Sequence, residues 1–173
     1  MTGLPIPYLA GVDWYRSWFR STLGLEQAPV RVSSLNRGVI RGAWGEQTLT
    51  VPIEGGRRRM ARTPYGHLRL SEHDDWRHKH WQAITSAYGA FPYFPYFKDE
   101  LAPVFTAACT LHALNQGLHS AFLRCSGLDA LAAWIRQHGR PADSRASCTT
   151  VPGHVSALEL LFMYGPETVF YLI

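Results

Sequence analysis

Apolar and polar residues alternate along one part of this chain and follow a helical spacing along the rest. Between positions 29 and 53 the two kinds alternate, as in Leu49-Thr-Val-Pro-Ile53, and Gly42 and Gly45 lie between two such runs. A period of two predicts β-strands, and a break that contains glycine predicts a hairpin. Leu4–Tyr8, which carries two prolines, is predicted as an edge strand or extended lead-in, and His67–Leu70 as a further short strand.

Helical spacing dominates after residue 71, with one earlier segment. Val12, Tyr15, Trp18 and Phe19 share one face and predict a first helix. The best-defined helix opens at Asp74–Asp75, whose carboxylates suit the free amides and the positive end of a helix. Its predicted inner face carries one histidine and consists of Trp76, His80, Ala83, Ile84, Ala87 and Tyr88.

The C-terminal part is predicted to be helical as well. One helix is expected from Leu101, with Pro103 in its first turn, and Asn115 is expected to cap the next. Ser156-Ala-Leu-Glu159 has the pattern of a capping box, and Gly165-Pro166 is predicted to end the helix that follows it.

Strands cluster before residue 71 and helices after it, which predicts an α+β fold rather than a doubly wound parallel sheet. We expect short strands or a hairpin in the N-terminal half and helices in the C-terminal half. A length of 173 residues suits one compact domain over residues 1–173. No apolar run approaches the roughly 20 residues of a membrane span. No basic stretch followed by an apolar one begins the chain, so we expect a cytoplasmic protein.

The charge of the chain is unevenly distributed. Residues 1–82 hold 12 basic and 7 acidic residues, a net of +5, whereas residues 83–173 hold 5 basic and 6 acidic residues, a net of −1. Only Lys79 and Lys98 are lysines, and arginine favours planar, bidentate contact with phosphate or carboxylate. An anionic ligand for the N-terminal half is one interpretation, and a solvated basic face is the other.

The most unusual segment is Asp75-Trp-Arg-His-Lys-His-Trp81, which packs two tryptophans, two histidines, an arginine and a lysine into seven residues. His80 lies on the predicted apolar face, so it is a candidate general base, or else a core histidine held by one hydrogen bond. His78 points elsewhere, because residues two apart do not share a helical face. The histidine spacing matches no zinc motif, so we expect no metal site.

Two further candidates for ligand binding lie before this helix. Asn36-Arg37 follows a strand signal, and Arg37 could form paired hydrogen bonds to phosphate or carboxylate, although a turn Asn beside a surface Arg is the alternative. Arg57–Arg59 with Arg62 is either a second anionic contact or a solvated loop. It is too short and too poor in aromatics to predict nucleic-acid binding. No phosphate loop, dinucleotide fingerprint or nucleophile elbow occurs, and the residues assign no cofactor.

Taken together these stretches resemble the WbqC-like family of bacterial proteins. The matching stretches run in the family's order and span nearly the whole chain: Leu4-Pro-Ile-Pro-Tyr-Leu9, Asn36-Arg37, Leu49-Thr-Val-Pro-Ile-Glu54, Asp75–Trp81, Ala87-Tyr88, Pro92-Tyr-Phe94, and Ser156–Phe162 with Gly165-Pro166. The chain departs from the pattern at Gly38, where the family often has Cys, and at Glu159, where Asp is usual. A mechanism that needs a thiol at position 38 is therefore excluded here.

The resemblance implies a role in surface-polysaccharide biosynthesis of the O-antigen type. Our leading hypothesis is a transferase that moves a small acyl or aminoacyl group from a donor or carrier to a sugar or nucleotide-sugar. His80 would act as general base, Arg37 and Arg77 would hold phosphate or carboxylate, Trp76 or Trp81 would stack on the sugar, and Tyr8 and Asn36 would make polar contacts.

The competing hypothesis is a non-catalytic ligand-binding or scaffold protein of the same pathway, because no nucleophile–base pair is evident. The two hypotheses predict different structures. A transferase places His80 in a pocket with the arginines, whereas a scaffold buries His80 and exposes an aromatic patch, with Phe91–Phe97 as the candidate.

Overall fold

A β-hairpin and a set of helices share one apolar core in the computed structural model of this chain, which describes residues 5–22, 35–138 and 151–172. The predicted α+β class, with strands in the N-terminal half and helices in the C-terminal half, is confirmed. The predicted strand residues 29–34 and the end of the helix near Gly139 lie outside the described residues.

The elements follow the chain in a simple order. They are α1 (Val12–Thr22), β1 (Arg37–Gly42), β2 (Gly45–Thr50), α2 (Gly56–Met60), α3 (Trp76–Tyr88), α4 (Phe94–Ala107), α5 (Leu111–Ser126), α6 (Leu128–His138), α7 (Leu158–Tyr164) and α8 (Val169–Leu172). Short 3-10 turns occupy Tyr65–His67 and Gly165–Thr168.

The hairpin forms where the alternating pattern predicts it. β1 and β2 pair antiparallel from Arg37 opposite Thr50 to Gly42 opposite Gly45, and Ala43 and Trp44 form the turn. Gly45 has φ of 115°, a value that a residue without Cβ adopts at no steric cost. His67–Leu70 was predicted as a strand, but His67 ends a 3-10 turn, and Arg69 and Leu70 form only single bridges to other segments.

Three predicted helix starts are wrong, and the first is that of α4, which begins at Phe94 rather than at Leu101. Thr110, not Asn115, caps α5, since its side-chain oxygen accepts a hydrogen bond from the amide of Ala113 at 3.1 Å. The capping box at Ser156 does not form: α7 begins at Leu158, and the Glu159 carboxylate binds Arg41 instead. As predicted, Gly165 ends α7, with φ of 58°.

The segment before α1 is held between the hairpin, α5 and the start of α7. The amide of Tyr8 donates to the carbonyl of Leu35 at 3.0 Å, and the amide of Ala157 donates to the carbonyl of Ala10 at 3.0 Å. Gly38 lies against this segment so closely that a Cβ there would be 2.6 Å from the Cβ of Leu9. Position 38 of this chain therefore has no room for a side chain, which is a physical reason for glycine there.

Candidate functional site

The α3 helix places His80 on an inward face, as the apolar stripe predicted. Trp76, His80, Ile84 and Tyr88 are its buried residues, and His78 is exposed. These four positions are one helical turn apart, so their side chains lie above one another on the same side of the helix. The helix begins directly after Asp75, as predicted, but the Asp75 carboxylate makes no capping hydrogen bond.

Tyr8 and His80 form the central contact of the candidate site. The hydroxyl of Tyr8 lies 2.8 Å from Nδ1 of His80, and the relative exposure of the two residues is 0% and 7%. Trp76 packs edge-on against the His80 ring at 5.2 Å between centroids. His80, which the sequence assigned to catalysis, thus contacts both Tyr8 and Trp76, which it assigned to polar contact and stacking, and all three are buried.

The burial of this pair fixes its protonation. Burial lowers the pKa of His80 to about 4, and the nearby charge of Asp74 only partly opposes that effect. Burial also raises the pKa of Tyr8 well above its usual value. At neutral pH the imidazole is therefore uncharged and the Tyr8 hydroxyl keeps its proton. No other acceptor for that hydroxyl lies among the described residues, so it donates to Nδ1, and the ring hydrogen belongs on Nε2.

Arg77 is directed away from this pair and binds the end of a helix. Its guanidinium donates to the carbonyl of Phe105 and, at 2.9 Å, to that of Ala108. It also pairs with Glu72 at 2.7 Å and lies over the Trp76 ring at 4.8 Å. These contacts neutralise the carbonyls at the C-terminus of α4, so the guanidinium already has partners within the protein.

The remaining predicted binding residues, Trp81, Asn36 and Arg37, lie in three different surroundings. Trp81 is partly buried and packs against Phe94 and Phe105, at 6.2 and 5.6 Å between centroids. The amide of Asn36 is buried and donates to the carbonyl of Val51 at 2.8 Å, which closes the base of the hairpin. Arg37 is exposed at the start of β1 and forms no ion pair within the described part of the chain.

The structure also contains an ion pair between Arg41 and the buried Glu159, a residue that the sequence predicted as part of a capping box. Glu159 on α7 is 2% exposed and binds Arg41 of β1 through Oε1, while its other oxygen has no hydrogen-bond partner in the structure. The amide of Arg41 donates to the hydroxyl of Tyr88 on α3 at 3.1 Å. Burial, with Glu159 nearby, raises the pKa of Tyr88. An acidic residue inside the apolar run Leu158–Phe162 was the available signal.

A second buried histidine lies beside a small cavity. His119 on α5 is 6% exposed, and its ring contacts Trp14, Tyr15 and Trp18 of α1 at 5.1 to 5.6 Å between centroids. Burial lowers its pKa to about 4. The cavity is about 10 Å³, roughly one water molecule. Asn115 also lines it, and its Oδ1 is buried without a hydrogen-bond partner in the structure.

Within residues 5–22, 35–138 and 151–172, no group of three or more His, Cys, Asp or Glu side chains could hold a metal ion. In that part of the chain no helix has the length and apolar character needed to cross a membrane.

Comparison with known proteins identifies a family that matches most of this chain. The model of the WbqC-like protein family matches residues 30–164, which is more than three quarters of the chain. Neither a curated protein nor a solved structure matches the sequence. The family match includes the Asn36-Arg37 pair, the whole of α3 and the Arg41–Glu159 ion pair. The chain belongs to the WbqC-like family.

Proposed function

We propose that this protein is a ligand-binding component of bacterial surface-polysaccharide biosynthesis of the O-antigen type. It acts in the cytoplasm on a sugar or nucleotide-sugar. Membership of the WbqC-like family supports the pathway. The observation that carries the choice of binding over chemistry is the burial of His80, whose Nδ1 is occupied by the hydroxyl of Tyr8.

A general base works best when its pKa lies near the operating pH and when it reaches the proton that it removes. His80 meets neither condition in this arrangement. Its pKa is about 4, and 93% of its surface is covered (7% exposed). Arg77, the second residue predicted to hold an anion, binds the C-terminus of α4 instead. These observations support a structural role for the α3 motif.

Arg37 is the residue best placed to contact the ligand. It is exposed, and its guanidinium pairs with no carboxylate among the described residues, so it is free to bind phosphate or carboxylate. Two hydrogen bonds between Asn36 and Val51 hold the backbone next to Arg37 in place. The stretch Phe91–Phe97 offers less to a protein partner, since Tyr96 is its one largely exposed aromatic side chain. This favours small-ligand binding over a scaffold role.

The transferase remains the second candidate function, and one observation favours it. Tyr8, Trp76 and His80 meet although Tyr8 is 72 positions from His80, so the chain assembles a polar pair of the kind that transfer chemistry uses. In that reading His80 removes the proton from the attacking amine or hydroxyl. Asn36, Arg37 and Trp81 belong to the binding surface, and Arg77 positions the helix end.

A ligand screen with two readouts tests both candidates. Nucleotide-sugars, acyl-CoA compounds and amino acids are added singly and in pairs, and the melting temperature and the mass of each compound are recorded. The variants are Arg37→Ala and, as a matched control, Lys98→Ala, which removes an exposed cation from α4. We expect a nucleotide-sugar to raise the melting temperature of wild type and Lys98→Ala but not of Arg37→Ala, with every compound unchanged in mass.

The other outcomes are equally informative. A product of higher mass would establish the transferase, and His80→Gln should then slow its formation by about 10²–10⁴ if His80 is the base. A shift that survives in Arg37→Ala would remove Arg37 from the binding site. If no compound class shifts the melting temperature, ligand binding as proposed here is wrong.

A further inference from the structure

The segment between the hairpin and α3 forms a surface loop whose two ends lie side by side. We call residues 54–69 the arginine loop. Its ends are held together by backbone contacts: Ile53 bridges Leu70, and the amide of Glu54 donates to the carbonyl of Arg69 at 3.1 Å. Loops of this length with adjoining ends are compact surface features that often serve a function. Gly55 and Gly56, with φ of 73° and 60°, turn the chain into α2.

The arginine loop carries a large part of the charge of the molecule. It contains five arginines (57, 58, 59, 62 and 69) and one glutamate (54), a net of +4, which equals the formal net charge of the whole chain. Arg57, Arg58, Arg59 and Arg62 are exposed and pair with no carboxylate in the described part of the chain. Arg69 lies 3.8 Å from Glu54, and both are on the surface.

The shape of the loop argues against a small-molecule site. α2 has no buried residue, and its three arginines are exposed rather than enclosed in a pocket. Binding sites for small molecules are usually concave. None of the residues that line the cavity beside His119 belongs to the loop.

The composition of the loop argues against a protein or nucleic-acid partner. Large apolar side chains anchor protein interfaces, and those exposed among the described residues are Trp44, Tyr96, Trp134 and Phe170, none of which lies in the loop. The loop's one aromatic residue besides His67 is Tyr65, which is turned inward: its hydroxyl donates to the carbonyl of Ile6 at 2.9 Å. Apart from the single exposed imidazole of His67, the loop therefore presents no ring for stacking on a base.

We propose that the arginine loop docks the protein on an anionic lipid surface, where several guanidinium groups bind headgroup phosphates at once. Clusters of four or more basic residues bind such surfaces by charge alone, and a guanidinium forms paired hydrogen bonds with phosphate oxygens. The unpaired arginines supply that number without an apolar anchor. This inference is independent of the ligand-binding function proposed above.

Co-sedimentation with lipid vesicles tests the inference. One vesicle contains equal parts of phosphatidylglycerol and phosphatidylcholine, and the other contains phosphatidylcholine alone. The test variant is Arg57→Gln/Arg58→Gln. The control is Arg20→Gln/Lys98→Gln, which removes the same charge from exposed positions of α1 and α4. We expect wild type to bind the anionic vesicle only. The test variant should bind about 30-fold more weakly, at about fivefold per arginine, and the control nearly as well as wild type.

Three results would overturn the inference. Absence of binding to the anionic vesicle at low salt would do so directly. An equal loss in the control would show that net charge acts without a defined surface. The third result comes from wild type bound to the anionic vesicle, to which inorganic phosphate or polyglutamate is added at matched charge. Displacement of the protein from vesicles at low concentration of either would replace the lipid surface with a free phosphate or an acidic polypeptide, respectively.

Discussion

The hydroxyl of Tyr8 is a buried donor that has Nδ1 of His80 as its acceptor. We predict that Tyr8→Phe lowers the free energy of unfolding by about 1–3 kcal/mol, because the ring nitrogen keeps its place in the core and loses its partner. Urea denaturation followed by tryptophan fluorescence measures the loss. The imidazole should stay neutral at pH 7 in the variant, since burial and not the hydroxyl lowers its pKa.

Tyr96→Phe is the control for this prediction. Its side chain is 74% exposed, so removal of its hydroxyl should leave the stability unchanged within measurement error. An unchanged stability in Tyr8→Phe as well would mean that the Tyr8–His80 hydrogen bond contributes nothing to the fold. The structural role given to the α3 motif would then lose its support.

At the scale of single residues, helical spacing predicted which face a side chain takes but not which partner it meets. His80 lies inward beside Trp76, as its position one turn later requires. Its partner Tyr8 comes from a segment without regular structure, 72 positions away, and no local pattern connects the two. Asn115 was predicted as a cap from its residue type alone. It lies inside α5, where its amide donates to the carbonyls of Ile6 and Leu35.

At the scale of elements, local signals located the hairpin and α3 but failed at the start of α4. Pro103 was expected in a first turn, yet α4 begins at Phe94 and holds Pro103 in its interior. A proline removes one hydrogen bond, to the carbonyl of Asp99 four residues earlier. Pro103 and Asp99 are both exposed, so water can reach this side of the helix. The aromatic residues Phe94 and Phe105 bury the opposite face and offset the loss.

The Arg41–Glu159 pair connects β1 to α7, and its two members differ in exposure. The side chain of Glu159 is 2% exposed and that of Arg41 is 35% exposed. We predict that Arg41→Met costs about 3–5 kcal/mol, because it leaves a buried carboxylate without a counter-charge. Glu159→Gln should cost less, about 1–3 kcal/mol, because the remaining guanidinium reaches water. Chemical denaturation of both variants at pH 7 measures the difference.

A double variant completes this comparison. Arg41→Met/Glu159→Met removes both charges from the contact between β1 and α7, so it should recover part of the loss seen in Arg41→Met alone. If Glu159→Gln proves the more damaging single change, the buried carboxylate does not set the energetics of this contact.

At the scale of the whole molecule, contacts between distant segments bring the two ends of the chain together. Gly11 bridges Ser156, and the amide of Val12 donates to the carbonyl of Val155 at 3.1 Å. Val155 also contacts the hairpin, because it forms a single β-bridge with Val39 of β1. The order of strands and helices predicted the fold class. These backbone contacts between distant segments could not be predicted, because every residue type presents the same backbone amide and carbonyl.

The two buried histidines make the stability of the whole protein depend on pH. Burial lowers the pKa of His80 and His119 to about 4, whereas a histidine in an unfolded chain titrates near about 6.5. Between these values the unfolded state binds more protons, so stability is complete above about pH 6.5 and falls as the pH drops toward 4. We predict a loss of about 2 kcal/mol per histidine between pH 7 and pH 5, since one pH unit corresponds to about 1.4 kcal/mol once the unfolded histidine is mostly protonated.

Urea titrations at about pH 7, 6 and 5 measure this loss. These pH values lie above the range in which carboxylates take up most of their protons. Asp74 raises the pKa of His80 in part, so Asp74→Asn should steepen the dependence slightly. His80→Gln/His119→Gln should be less stable at pH 7 but nearly independent of pH over this interval. His73→Gln/His78→Gln, which changes two exposed histidines, should keep the full dependence. A flat profile in wild type would mean that one or both buried rings reach solvent and protonate in the native state.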